Sequence, residues 1–600
     1  MILRVLLLNA ILCLITGTIN AQDLNSALKL TLSERYEDAN NVYQSLLKSD
    51  SNNADVYFYY GENILKNYLS DTLSATLKET TLSARELFTK GIKADSTNKI
   101  NLIGLGIVTL METNDTIAAD KYFNRVDGFP KNKKKYTEKH ITLLIKLATG
   151  QLYAKHPRFK KAIAFLEKAE EAAPNNPKVP DAKGDIFMSQ NDASNAIKNY
   201  NRAEYLDPKS PVYKVKIGTI YMGARNLTDA RPIFEQAKEI DSTYAPIYAA
   251  LGQMYSLSGY FKLSKDNYKR FLDLSGNNIP AKIKYANSLF RAKDLGEAFT
   301  VITEILQIDN SRNYLNRIAG YSAYDKKPAD YNASLKYMEL FFAKATPDKI
   351  IQKDYMYYGN TLLKLKQDTT QIDKGLLTLK KAFDMDTTKH ELFNNIINNA
   401  YAYKRFDIAS NLLVEKDKSG KATNSDLFTL GKVYYQLKKF GKADTIFGKL
   451  TQSDPGNIQA YLWQANSVTN LDPESKQGLA KPFYEQVVSK AQSDTVKNVK
   501  ELIDAYSYLG SFYLFNAKPV DYNNAVKAFN KIITLDPNNK SNVIKGYISL
   551  ALVASKKKDY VWCRDIYKKL TILDPSNADF KQGLQSYEKQ VKAQQAAQNG

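Results

Sequence analysis

Residues 184–208 read GDIFMSQNDASNAIKNYNRAEYLDP, and residues 218–242 read GTIYMGARNLTDARPIFEQAKEIDS. Laid over one another, the two stretches share a small residue at the start, alanine twelve places on and an aromatic ring four beyond that. A second alanine follows three further on. The same offsets run outward: Gly150, Gly184, Gly218, Gly252, Ala286 and Gly320 are each 34 residues apart. Ala162, Ala196, Ala230, Ser264 and Ala298 follow the first five by twelve, and Leu166, Tyr200, Phe234, Tyr268 and Ile302 by sixteen. Each unit closes near Pro174, Pro208, Ser242, Gly276 or Asn310. Several columns held in step over five periods mark an internal repeat, the sequence signature of a solenoid or array.

These columns resemble the tetratricopeptide-repeat (TPR) family, whose unit is a helical hairpin of 34 residues. Physically, the small residue sits where the two helices of a hairpin touch, and Tyr221 and Phe234 are expected to fill the space between neighbouring hairpins. Asp207-Pro208, Asp454-Pro455, Asp536-Pro537 and Asp574-Pro575 punctuate helix ends, because proline ends one helix and starts another. Further units are read at Ala39 with Tyr43, Gly61 with Ala84 and Phe88 (with an insertion at about 65–80), and Gly106 with Ala118. Downstream come Gly359 with Ala382, Gly431 with Ala443, and Gly510 with Ala525. The units near 388–416 and 456–491 are degenerate. Cys563 falls in the small-residue column and reads as a packing residue. Phe580, Leu584, Tyr587 and Val591 line one face of a closing helix, and a solenoid needs such a cap. The expected fold is all-α, a right-handed α-solenoid of about 15 TPR-like hairpins with a C-terminal capping helix. The divisions are 1–21 signal peptide, 22–130 N-terminal repeats, 131–416 central array, 417–592 C-terminal repeats and cap, and 593–600 disordered tail.

Composition bounds the chemistry. The 600 residues are 44% hydrophobic, which excludes a disordered chain. Two cysteines exclude a disulfide framework and a cysteine-based zinc cluster. The three histidines, His140, His156 and His390, form no ligand pair. No GxSxG, HExxH or GxxxxGK[ST] occurs. The chain is therefore read as no enzyme, with no catalytic residue, cofactor or metal site. Arg4, the apolar run Val5–Ile15 and the small residues ending at Ala21 read as a cleavable export signal. The mature chain then begins at Gln22, without lipid on Cys13. The expected location is the periplasm or the outer-membrane periphery of a bacterium.

A net charge of +21 gives solubility and electrostatic steering. Lys131, Lys133, Lys134 and Lys135 form one basic loop and Lys556, Lys557 and Lys558 a second. The resemblance implies that first helices line a concave groove, with the residues before and after the small column pointing in. These include Asp181 and Asp185, Val215 and Thr219, Ile283 and Asn287, Arg317 and Tyr321, Met356 and Asn360, and Phe428 and Lys432. Ile283 stands where a carboxylate clamp needs lysine. Asn287, Arg317, Tyr321 and Asn360, on successive first helices, are the candidate partner-binding residues. The expected role is a protein–protein interaction scaffold of the cell envelope, holding protein or peptide partners, with peripheral contact to a membrane and no nucleic acid. The alternatives are a glycan or peptidoglycan module, with Trp463 as a stacking platform, or an enzyme.

Overall fold

The protein is described by a computed structural model over residues 23–73 and 75–599. The expected export signal, with Arg4, Cys13, Ala21 and the start at Gln22, lies outside the described residues. These contain α-helices and short 3₁₀ turns and no strand. Of the thirty-one α-helices among the described residues, thirty form 15 successive antiparallel hairpins, and the last helix, Ala578–Asn599, closes the array. The expected all-α solenoid of hairpins and its capping helix are what the chain forms.

Inside a hairpin the small-residue column works by contact. A Cβ on Gly184 would lie 2.3 Å from the Tyr200 ring, and one on Gly218 would lie 2.6 Å from the Phe234 ring. Gly431 stands in the same relation to Phe447, at 2.6 Å. The aromatic residue thus lies on the glycine of its own hairpin, sixteen residues back. Phe234 also shares a core with Ala245, Ile247 and Leu251 of the next hairpin, so the ring serves both contacts.

A further 34-residue column lies in the hairpin turns. Asn191, Arg225, Gly259 and Lys293 adopt φ of 60°, 62°, 78° and 67°. Only one is glycine, so residue type hides a shared left-handed backbone. The expected insertion at 65–80 is taken up as helix: Ala54–Ser70 and Leu77–Ala94 have 17 and 18 residues and leave a short turn. The weakly patterned segments also form hairpins, His390–Ala402 with Phe406–Lys418 and Ile458–Thr469 with Lys481–Ala491.

The chain divides in sequence into two compact units, to Thr361 and from Leu362. In each, apolar cores follow one another along the chain rather than merging into one. That is the packing of a solenoid, in which a repeat contacts its neighbours. Cys563 is fully buried beneath Ala551, as its column requires, and burial pushes its thiol up to about 11. The closing helix buries Phe580 and Val591. It runs on to Asn599 through the Gln- and Ala-rich end, where a disordered tail is expected from sequence; both residue types are good helix formers.

Candidate binding chamber in the first unit

The first unit curls until its early and late hairpins meet. Asn278 Nδ2 donates to the Glu34 carbonyl at 2.8 Å. Arg312 Nη1 donates to Asp71 Oδ1 at 2.9 Å, and its other amine reaches the second oxygen of the same carboxylate. The Arg312 and Asp71 side chains are 2% and 8% exposed. Lys284 lies 3.9 Å from Glu34. These contacts are polar, unlike the apolar packing between successive hairpins.

Within the curl is a cavity of about 860 Å³. Its lining comes from the first helices of the first seven hairpins, or from residues flanking them such as Leu152, Tyr153 and Tyr244. That agrees with the groove expected from the family resemblance. Leu32, Leu69, Met111 and Ile145 supply apolar wall, and Leu32 and Leu69 are 50% and 51% exposed.

Two charged clusters are set into this wall. Lys146 Nζ meets Glu62 at 2.5 Å, with Lys66 on the other carboxylate oxygen at 3.4 Å. Burial alone would raise Glu62, but the two ammonium groups outweigh it and hold the carboxyl down to about 2. Lys146 is lowered, because desolvation together with repulsion from Lys66 and Lys178 exceeds the attraction of Glu62. In the second cluster Lys216 bridges Asp181 and Asp185, each at 2.7 Å. Burial and the adjacent Asp185 raise Asp181 in spite of Lys216. Lys216 rises despite its own burial, held charged by both carboxylates. Tyr200 donates to Asp185 at 2.7 Å, which ties the cluster to the ring that covers Gly184. The chamber offers an occupant apolar surface between fixed charges of both signs.

The four residues named from sequence lie outside this chamber. Arg317 and Tyr321 converge on Asp354, a fully buried carboxylate: Arg317 Nε lies at 2.8 Å and the Tyr321 hydroxyl donates at 2.6 Å. Tyr321 is itself 4% exposed and stacks on Tyr357 with centroids 4.0 Å apart. Both side chains thus tie the ninth hairpin to the tenth. Asn287 and Asn360 are half-buried on the first helices to either side. Asp181 and Asp185 are the predicted groove residues that do line the chamber. Thr219 is exposed, and Lys216 of the same helix takes the lining position instead. Glu62 was missed, although it follows Gly61 as Asp185 follows Gly184. Trp463 offers no open stacking platform: Phe447 stacks on it at 6.1 Å, Tyr435 meets it edge-on at 5.1 Å, and Lys432 lies over its ring at 5.7 Å.

The family model of the tetratricopeptide repeat matches residues 182–210, a stretch that holds Gly184, Tyr200 and the chamber carboxylate of Asp185. The C-terminal part of a TPR repeat-containing protein from Cytophaga hutchinsonii is 30% identical over 44% of this chain and 98% of that one, with a TM-score of 0.29. The chain belongs to the tetratricopeptide-repeat family. A TPR protein from Parabacteroides merdae is 13% identical, covering 44% of this chain and 99% of that one, with a TM-score of 0.29. YrrB, a TPR protein with an unusual peptide-binding site, is 16% identical over 35% of this chain and 100% of its own, with a TM-score of 0.29. No curated protein matches the chain. TPR repeats in general mediate contacts between proteins.

Proposed function

We propose that this TPR protein is a non-catalytic scaffold of the bacterial cell envelope that holds a segment of a partner protein in the chamber of its first unit. The observation that carries the reading is the pair Leu32 and Leu69, large aliphatic side chains left half-exposed on a concave wall. Apolar side chains grouped in a concavity and rimmed by charge are the usual anatomy of a protein-binding surface. The half-buried ion pairs around them fix orientation more than they add affinity. The export signal read in residues 1–21 supports the envelope location.

A photo-crosslinking residue placed at Met111 or Thr149, inside the chamber, tests the reading in cells. The expected result is a protein adduct from these positions and none from Tyr205, which is 78% exposed on a second helix. Adducts from Tyr205 alone would overturn it. Fractionation of the same cells checks the location, with the processed chain expected in the envelope fraction.

A further inference from the structure

Consecutive repeats place their helix-to-helix turns along one edge of a solenoid. In the thirteenth to fifteenth hairpins these turns are 470–480, 516–521 and 557–559. They bring together lysines far apart in sequence: Lys476, Lys481, Lys518 and Lys557 line one cleft of about 740 Å³. The juxtaposition is held by packing. A Cβ on Gly478 would meet the Phe512 ring at 2.7 Å, and Lys481 lies over the Tyr513 ring at 5.8 Å.

The acids of this edge are already committed. Glu474 pairs with Lys476, and Glu485 with Lys481 at 2.7 Å. Asp521 and Asp559 cap helices, accepting from the Asn524 and Trp562 amides at 2.9 Å. Lys518, Lys556, Lys557 and Lys558 are all exposed, and among the described residues none has a carboxylate within ion-pair distance. In the basic loop at 131–135, Lys133 is paired with Glu171.

Apolar side chains stand among these cations. Leu479, Phe515 and Val520 sit in or beside the same turns and are 42%, 48% and 40% exposed, and Lys556 lies 4.8 Å over the Phe515 ring. Lysine alone fits any polyanion. Lysine interleaved with aliphatic and aromatic side chains at protruding turns fits an interface that is anionic outside and apolar beneath. We propose that this edge of the second unit docks on a membrane surface bearing anionic phosphate headgroups. The lysines meet the phosphates, and Leu479, Phe515 and Val520 enter the headgroup–acyl boundary. The surface is separate from the chamber, so each proposal stands or falls without the other.

The test is co-sedimentation of the purified chain from Gln22 onward with phosphatidylcholine vesicles, with and without phosphatidylglycerol, at low and high salt. The expected result is binding to the phosphatidylglycerol vesicles alone. The double variant Lys518→Glu with Lys557→Glu is expected to lower it about tenfold. Leu479→Ser with Val520→Ser is expected to abolish the part that survives high salt. Lys131→Glu with Lys134→Glu serves as the control and is expected to bind like the parent. Equal binding to both vesicle types, or equal loss in the control, would overturn the proposal. So would failure on vesicles combined with retention on heparin, which would assign the edge to a soluble acidic glycan. All substituted side chains are exposed, and unchanged helicity verifies that each variant folds.

Discussion

Arg312 grips the carboxylate of Asp71 with both terminal guanidinium amines, across 241 residues of chain. Its Nε binds Asp309 at 2.8 Å in the same place, so one buried cation holds two acids. Breaking such a pair by removing one partner costs about 3–5 kcal/mol, since the other charge stays buried without compensation. Arg312→Ala is therefore expected to open the curl while the hairpins persist. Hydrogen exchange checks this: amides in 34–38 and 275–280 should lose protection, with those around Phe234 unchanged. Protection retained at both seams would contradict the role given to the pair.

Gly218→Leu is expected to destabilise by about 1–3 kcal/mol, because the Phe234 ring already occupies the space. Gly296→Ala is the matching control. Nothing lies within 4 Å of a Cβ there, so it should change stability by less than about 1 kcal/mol. Denaturant unfolding of the two variants should separate them; equal effects would show that contact is not what selects glycine in the column.

The turn column gives a second pair. Lys293 and Gly259 share the left-handed backbone, which costs a side-chain-bearing residue about 1 kcal/mol. Lys293→Gly is expected to raise the unfolding midpoint and Gly259→Ala to lower it. Shifts of the reverse sign would show that the backbone entropy of glycine dominates at these turns.

Glu62 has a folded pKa of about 2 against an ordinary 4.5. A carboxyl lowered on folding adds stability above its unfolded pKa and loses it as pH falls through the folded value. The stability difference between the parent and Glu62→Gln should thus be full above pH 4.5 and shrink toward pH 2. Urea unfolding of both proteins across that range measures it. A difference independent of pH would mean that the pair with Lys146 does not set the Glu62 pKa.

The repeat was legible because its residues are selected by contact within one hairpin, at fixed offsets of twelve and sixteen. Gly184, Ala196 and Tyr200 announce themselves at that range. The curl was not legible, because Glu34 with Asn278 and Asp71 with Arg312 answer to the summed rotation of seven or eight repeats, which no local column records. Asn287, Arg317, Tyr321 and Asn360 stand on successive first helices, a local criterion that says nothing of where the curl closes. The chamber had formed earlier, around Glu62, Lys146 and Asp181. Arg317 and Tyr321 have the composition of binding anchors, yet Asp354, a residue of the next hairpin, draws both inward. The turn column escaped notice because lysine, arginine, asparagine and glycine hide one shared dihedral angle.

If the chamber holds the partner, the affinity of the crosslinked partner must fall when the chamber wall is changed. Leu32→Glu and Leu69→Glu place charge on half-exposed wall residues without touching a core. Ile308→Glu places it on a side chain 65% exposed outside the chamber. Each chamber variant is expected to weaken binding at least tenfold, about 1.4 kcal/mol, with helicity intact and Ile308→Glu unchanged. Parent-like affinity in both chamber variants would contradict a partner held in the chamber.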